Sequence, residues 1–290
     1  MNTQSIQPQV DVAQGALAMG RGLRQWVLMG VVGSAVLAGG GLLSGCAHQA
    51  GQGGSNAEPL TESDEPATRK RARIRVTLAS SYFEKGQDTV ALDEVKQALV
   101  ADPNYGPAYV LRGLIYRRMN ERGLAEDSFK RALQIDPNDA DALHNFGWYL
   151  CGERREKESM PLFSRALGVP NYADQAKTLM AMGVCQTRMG QVKEAENSFA
   201  RSYQIDPNNP VTAYNLAALL FQRGEDERAQ FYIRRLNDTE LANAETLWLG
   251  IKIEKRIGNT TVADQLAQQL GKRFPNSPEL GAYRRGAFNE

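Results

Sequence analysis

Three cysteines and two histidines are the side chains of this 290-residue chain best suited to making bonds. Cys46 follows Leu43-Ser44-Gly45 at the end of an uncharged run, and Cys151 and Cys185 stand 34 residues apart. A thiolate attacks, ligates a metal or takes a covalent partner. A metal needs converging ligands, but His48 falls in a polar stretch and His144 in a helical pattern, so the two histidines form no pair. No Gly-rich phosphate loop and no nucleophile elbow is present. The many carboxylates are spaced as on solvated helix faces. The expectation is a chain with no catalytic residue, no metal, no cofactor and no small-molecule substrate.

The residues before Cys46 say what its thiol is for. Residues 26–43, WVLMGVVGSAVLAGGGLL, are uncharged and follow Arg21 and Arg24. Such a run is long enough to cross a bilayer, yet its five glycines and the lack of a basic flank after it fit a cleaved signal peptide better. Leu43-Ser44-Gly45-Cys46 matches the lipobox of bacterial lipoproteins: small residues admit a peptidase, and the thiol takes the lipid. The basic flank starts late, so translation from Met19 gives a more ordinary signal. Ala47, by resemblance to other lipoproteins, directs the chain to the outer membrane, facing the periplasm. The reading is therefore a signal peptide over 1–45, then lipidated Cys46 and a flexible tether over 46–70. The tether is rich in Gly, Ser, Gln and acid and cannot repay its ordering entropy; its reach is roughly 25 Å. Net charge is +1 for the whole chain and zero from Cys46 onward, which gives no support for nucleic-acid binding.

Beyond the tether the chain repeats. Asp-Pro-Asn recurs at 102–104, 136–138 and 206–208, and Pro103, Pro137, Pro207 and Pro275 are separated by 34, 70 and 68 residues. Six units of 34 fit, with two residues inserted near Leu167–Asn171. Within units, Tyr109, Gly113 and Tyr116 precede Ala125, Phe129 and Ala132, and Gly183 precedes Ala195 and Phe199. Spacings of three and four place these on one face of each of two helices. Small residues let the pair approach, aromatic rings fill the gaps, and Pro closes the unit. This resembles the tetratricopeptide repeat. The implied fold is all-α: a tetratricopeptide-repeat superhelix of about six helix-turn-helix units over 71–286. Helix pairs are expected at 73–86 and 89–101, 107–120 and 123–135, 141–152 and 157–167. The rest fall at 173–189 and 192–204, 210–223 and 226–236, 242–257 and 260–273. The third unit departs from the pattern at Ser159 and Pro161, the fifth has Leu241 in place of its closing Pro, and the sixth has Gly250 one residue early.

Stacked repeats form a concave surface lined by their first helices. Val76, Ser80, Phe83, Val110, Leu114, Arg117, His144 and Trp148 are expected to line a protein-binding groove, the first two units above all. Their apolar character favours an apolar segment over a charged terminus. The stretches NFGWYLC (145–151), MGVC (182–185) and ETLWLGIKIEKRIGN (245–259) narrow the resemblance further. Over roughly 72–285 the chain is similar to the type IV pilus biogenesis lipoproteins of the PilF/PilW family. That resemblance implies a pilotin, which binds the pilus secretin and helps it reach the outer membrane and form its ring. The alternative is a general envelope scaffold, serving outer-membrane protein assembly or cell-wall enzymes. In an oxidising periplasm Cys151 and Cys185 are either two buried thiols or a disulfide. The inserted residues between them alter the register where stacked helices are otherwise too far apart to bridge.

Overall fold

The structure is a computed structural model that describes residues 64–288; the signal peptide, Cys46 and most of the tether lie outside the described residues. Six helix pairs follow one another: α1 (Ala67–Glu84) with α2 (Asp88–Ala101), α3 (Gly106–Arg118) with α4 (Arg122–Ile135), and α5 (Ala140–Gly152) with α6 (Glu156–Leu167). Then come α7 (Gln175–Arg188) with α8 (Val192–Ile205), α9 (Pro210–Gln222) with α10 (Asp226–Asn237), and α11 (Ala244–Ile257) with α12 (Thr260–Arg273). A thirteenth helix, α13 (Pro278–Arg285), closes the array.

Each pair is held by one small residue against one large one. A Cβ on Gly113, Gly147 or Gly183 would lie 2.7–2.9 Å from the ring of Phe129, Phe163 or Phe199 respectively. The same two places hold Ala79 and Val95 in the first unit, which share a buried cluster, and Ala217 and Ile233 in the fifth. In the sixth the sizes reverse, with Ile251 on the first helix and Ala267 on the second. Volume across the pair is conserved while its donor changes, as close packing requires. Gly250, one residue early, instead admits Asn237 and Leu266.

The turns follow equally local rules. Asp-Pro-Asn works as an Asx turn: Asp102, Asp136 and Asp206 accept from the backbone N–H of Asn104, Asn138 and Asn208. Between the helices of a pair, one left-handed residue ends the first helix: Gly86, Asn120, Arg154, Gly190, Gly224 and Gly258 in turn. Arg118, Arg188 and Arg256 share one place in the second, fourth and sixth units. Each donates to a carbonyl at the end of the preceding first helix, of Phe83, Cys151 and Phe221, where a cation is favoured.

The expected boundaries need two corrections. Helix starts at Ala67, inside the segment assigned to the tether, because Pro66 has the fixed φ that suits a helix entry. The Arg69 guanidinium then ties the first turn to Asp102 at 2.9 Å and lies over the Tyr105 ring. The array also has one helix more than six pairs, α13, which is short but has a Ser277 cap accepting from Leu280 N–H and buries Leu280 against α11 and α12. Ser159 and Pro161 do not break α6: Ser159 is buried and donates to Glu156 O, and Pro161 faces outward.

Candidate protein-binding groove

Each odd-numbered helix touches the next odd-numbered one, whereas each even-numbered helix touches only its chain neighbours. The odd helices therefore form the inner layer and the even ones splay on the outside. Ser80, Leu114, Trp148, Val184, Ala218 and Lys252 each follow the interlocking residue of their first helix, and all six are partly exposed. They make a stripe along the inner layer that is apolar in the middle and polar at both ends.

The eight residues expected to line a groove divide. Val76, Ser80, Phe83, Leu114 and Trp148 are half-buried and Arg117 is exposed, so these reach the inner surface. Val110 and His144 do not: they are 8% and 4% exposed. They lie one turn before Leu114 and Trp148, at the level where neighbouring first helices close on one another. Val110 joins Phe129 and Phe146 in one apolar cluster. His144 Nδ1 lies 2.9 Å from Thr178 Oγ1, which is also 2.9 Å from the Tyr172 hydroxyl. Burial, with Lys177 adding to it, pushes the His144 imidazole down to about 3, so it is neutral at physiological pH.

Cys151 and Cys185 are joined in a disulfide, with Cα atoms 6.0 Å apart. Between these units the repeat advances by 36 residues, from Gly147 to Gly183 and from Phe163 to Phe199, so the two cysteines are not equivalent positions. The extra residues fall in 168–174, between α6 and α7, and are absorbed there: Arg188 reaches the Cys151 carbonyl from the same place that Arg118 and Arg256 reach Phe83 and Phe221, so α7 keeps the usual register on α5. His144 and Thr178, also 34 apart, meet seven residues earlier, which is two helical turns on one face. Both cysteines are fully buried, beneath Trp148 and beside Phe163.

At the far end the inner layer turns cationic and aromatic, a feature that sequence reasoning did not place. Lys252 Nζ lies 5.5 and 5.9 Å from the ring centroids of Trp248 and Phe221, and Lys255 Nζ 4.1 Å from that of Phe288. Trp248 in turn packs on Tyr283 and Phe288. The cluster depends on α13, and Ser277-Pro278 before Leu280 was the signal for that helix. Burial, then the Glu245 and Glu279 carboxylates, push the Tyr214 hydroxyl up to about 12. Among the described residues no group of three His, Cys, Asp or Glu side chains is placed to hold a metal ion, and no helix is long and apolar enough to cross a membrane.

Paired helices with this interlock, stacked on an inner layer of first helices, define a tetratricopeptide-repeat protein, a module for binding other proteins. Residues 106–139 and 186–245 match tetratricopeptide repeat families. The chain is 32% identical to PilW, a widely conserved type IV pilus biogenesis factor, over 73% of this chain and 97% of that one, with a TM-score of 0.66. It is 25% identical to the type IV pilus assembly protein PilF of Pseudomonas aeruginosa, over 72% of this chain and 83% of PilF. The solved P. aeruginosa PilF shares the fold at a TM-score of 0.70. The chain belongs to the PilF/PilW family of type IV pilus biogenesis proteins.

Proposed function

We propose that this protein is a pilotin, an outer-membrane lipoprotein that binds the type IV pilus secretin and promotes its outer-membrane localisation and ring assembly. Lipid on Cys46 holds it to the membrane, with the repeat array facing the periplasm. Family membership supports a role in pilus biogenesis. The observation that carries secretin binding is the apolar run Leu114–Trp148–Val184 on the inner layer, partly exposed where a core would have closed it. An extended or helical apolar segment fits such a surface, and a half-exposed Trp over a rigid disulfide is the residue type that dominates protein interfaces.

The test is capture of the secretin by the full-length protein from membranes, read with twitching. Trp148→Ala should weaken capture about thirtyfold and abolish twitching, with unchanged helix content; Leu114→Glu should act likewise. Val110 is unsuitable for this purpose because its loss damages the core. Undiminished secretin capture by both variants would remove the groove from the reading. Capture of other envelope proteins with normal twitching in a deletion strain would favour the general scaffold.

A further inference from the structure

Every unit but the first has its leading face covered by the unit before it. Ile74, Ala108, Ala142, Thr178, Thr212 and Thr246 occupy one place in the repeat. The last five are at most 4% exposed, and Ile74 is 56% exposed. The odd one out is also the largest: a residue bigger than Ala or Thr stands where no described residue covers it. Leu78, one turn on, is exposed too, and Val100 at the end of α2 is 80% exposed. Arg71, Ile74, Arg75, Gln97 and Val100 line a shallow groove at this end of the array.

The face is basic as well as aliphatic. Between residues 69 and 75, α1 carries five cations, and it has no acid before Glu84. Arg69 pairs with Asp102 and Arg75 with Glu94, while Lys70 and Arg71 are exposed and, among the described residues, pair with no carboxylate. A second copy stacking head to tail would present Lys272, Arg284 and Arg285, all exposed at the other end, and like charges would meet. Aliphatic side chains flanked by exposed cations instead suit a phospholipid surface. Cations meet phosphate there, and short apolar groups enter the headgroup boundary.

We propose that the leading face of the first unit docks on the anionic headgroup surface of the membrane that holds the anchor. This rests on the lipid anchor at Cys46, since the tether delivers α1 first. The anchor then sets distance and the face sets orientation, leaving the inner layer free for a partner.

The test uses the full-length lipidated chain in vesicles of phosphatidylethanolamine and phosphatidylglycerol. A fluorophore is placed through Ile74→Cys or, as control, through Ile205→Cys on the outer layer, with Cys151–Cys185 intact. Brominated lipid should quench position 74 and not 205, and less so as salt rises. Lys70→Gln and Arg71→Gln should each lower the docking equilibrium about fivefold. Flotation with the vesicles reads the anchor separately: a chain that does not float refutes the anchor, and with it this proposal. A chain that floats without quenching at 74 refutes the docking alone. Equal quenching in phosphatidylcholine vesicles, or indifference to both substitutions, overturns it. Position 74 shielded from aqueous quencher but not quenched by lipid means that residues 57–63 or another copy cover the face, which also overturns it.

Discussion

The contact between the third and fourth units and that between the fifth and sixth solve one problem differently. In the middle, where the repeat runs two residues long, α5 and α7 are joined by the disulfide and, two turns away, by the neutral chain His144–Thr178–Tyr172. Arg188 adds a bond to the Cys151 carbonyl. Nearer the end, α10 and α11 meet around a charge: the Glu254 side chain is fully buried and accepts from Arg234, Gln230 and Asn259. Asn237 also donates to Thr246 O across the same contact. Where the repeat is two residues longer, a covalent link and uncharged bonds hold the helices. Where the repeat has its usual length, a buried carboxylate whose cation stays 45% exposed is enough. The first contact therefore answers to redox conditions and to protonation of His144, the second to loss of one guanidinium and to protonation of Glu254.

Removing the bridge should have the largest effect. The chain-entropy model gives about 4 kcal/mol for a loop of this length. Urea denaturation of the Cys151→Ala/Cys185→Ala variant should show a loss of that order, with amide exchange rising first in α5 and α7. A loss under about 1 kcal/mol would mean that the hydrogen bonds alone hold the middle.

Arg234→Ala comes next, at about 3 kcal/mol, because it leaves a buried carboxylate without its cation. Burial works to raise the Glu254 carboxyl, but hydrogen bonds from Arg234, Gln230 and Asn259 outweigh it and hold the group below its ordinary range near 4.5. A depressed carboxyl contributes stability above its unfolded value and loses it as pH falls through the folded one. The cost of Arg234→Ala should accordingly shrink in acid. A cost that does not change with pH would assign the effect to packing of the Arg stem.

The smallest effect sharpens the middle contact. His144 titrates near 6.5 unfolded and about 3 folded, so below 6.5 the unfolded chain takes the proton first. Stability falls with pH over that window, by about 1.3 kcal/mol between pH 7 and 5.5. The decline should be lost in His144→Leu. If the variant shows the same slope, the imidazole is already accessible to water in the native state.

Much of the fold was legible because its rules are local. The 34-residue period, the Gly–Phe pairing and the Asx turns all arise within one unit, from spacings of three and four and from side chains reaching two residues along. Arg154 shows where such reading thins: it holds the left-handed place that Gly or Asn fills elsewhere, so only its position in the repeat betrays it. The groove was half legible. Leu114 and Trp148 lie on the inner layer as their spacing predicts, but Val110 and His144, one turn away on the same helices, are enclosed. A helical pattern gives the face on which a residue lies and not the height at which the next helix covers it.

By itself the sequence determined the repeat, its all-helical class, its family resemblance and the irregularity after the third unit. Short-range sterics and hydrogen bonding decide those features before units stack. Only the tertiary structure decided which residues meet between units. Stacking of α7 on α5 set Cys151 against Cys185, not its repeat equivalent Thr187, and the absence of a described unit before α1 left Ile74 open while five matching residues were buried. Contacts of that kind depend on where a neighbouring helix is placed by a loop, and no spacing within a single helix encodes that distance.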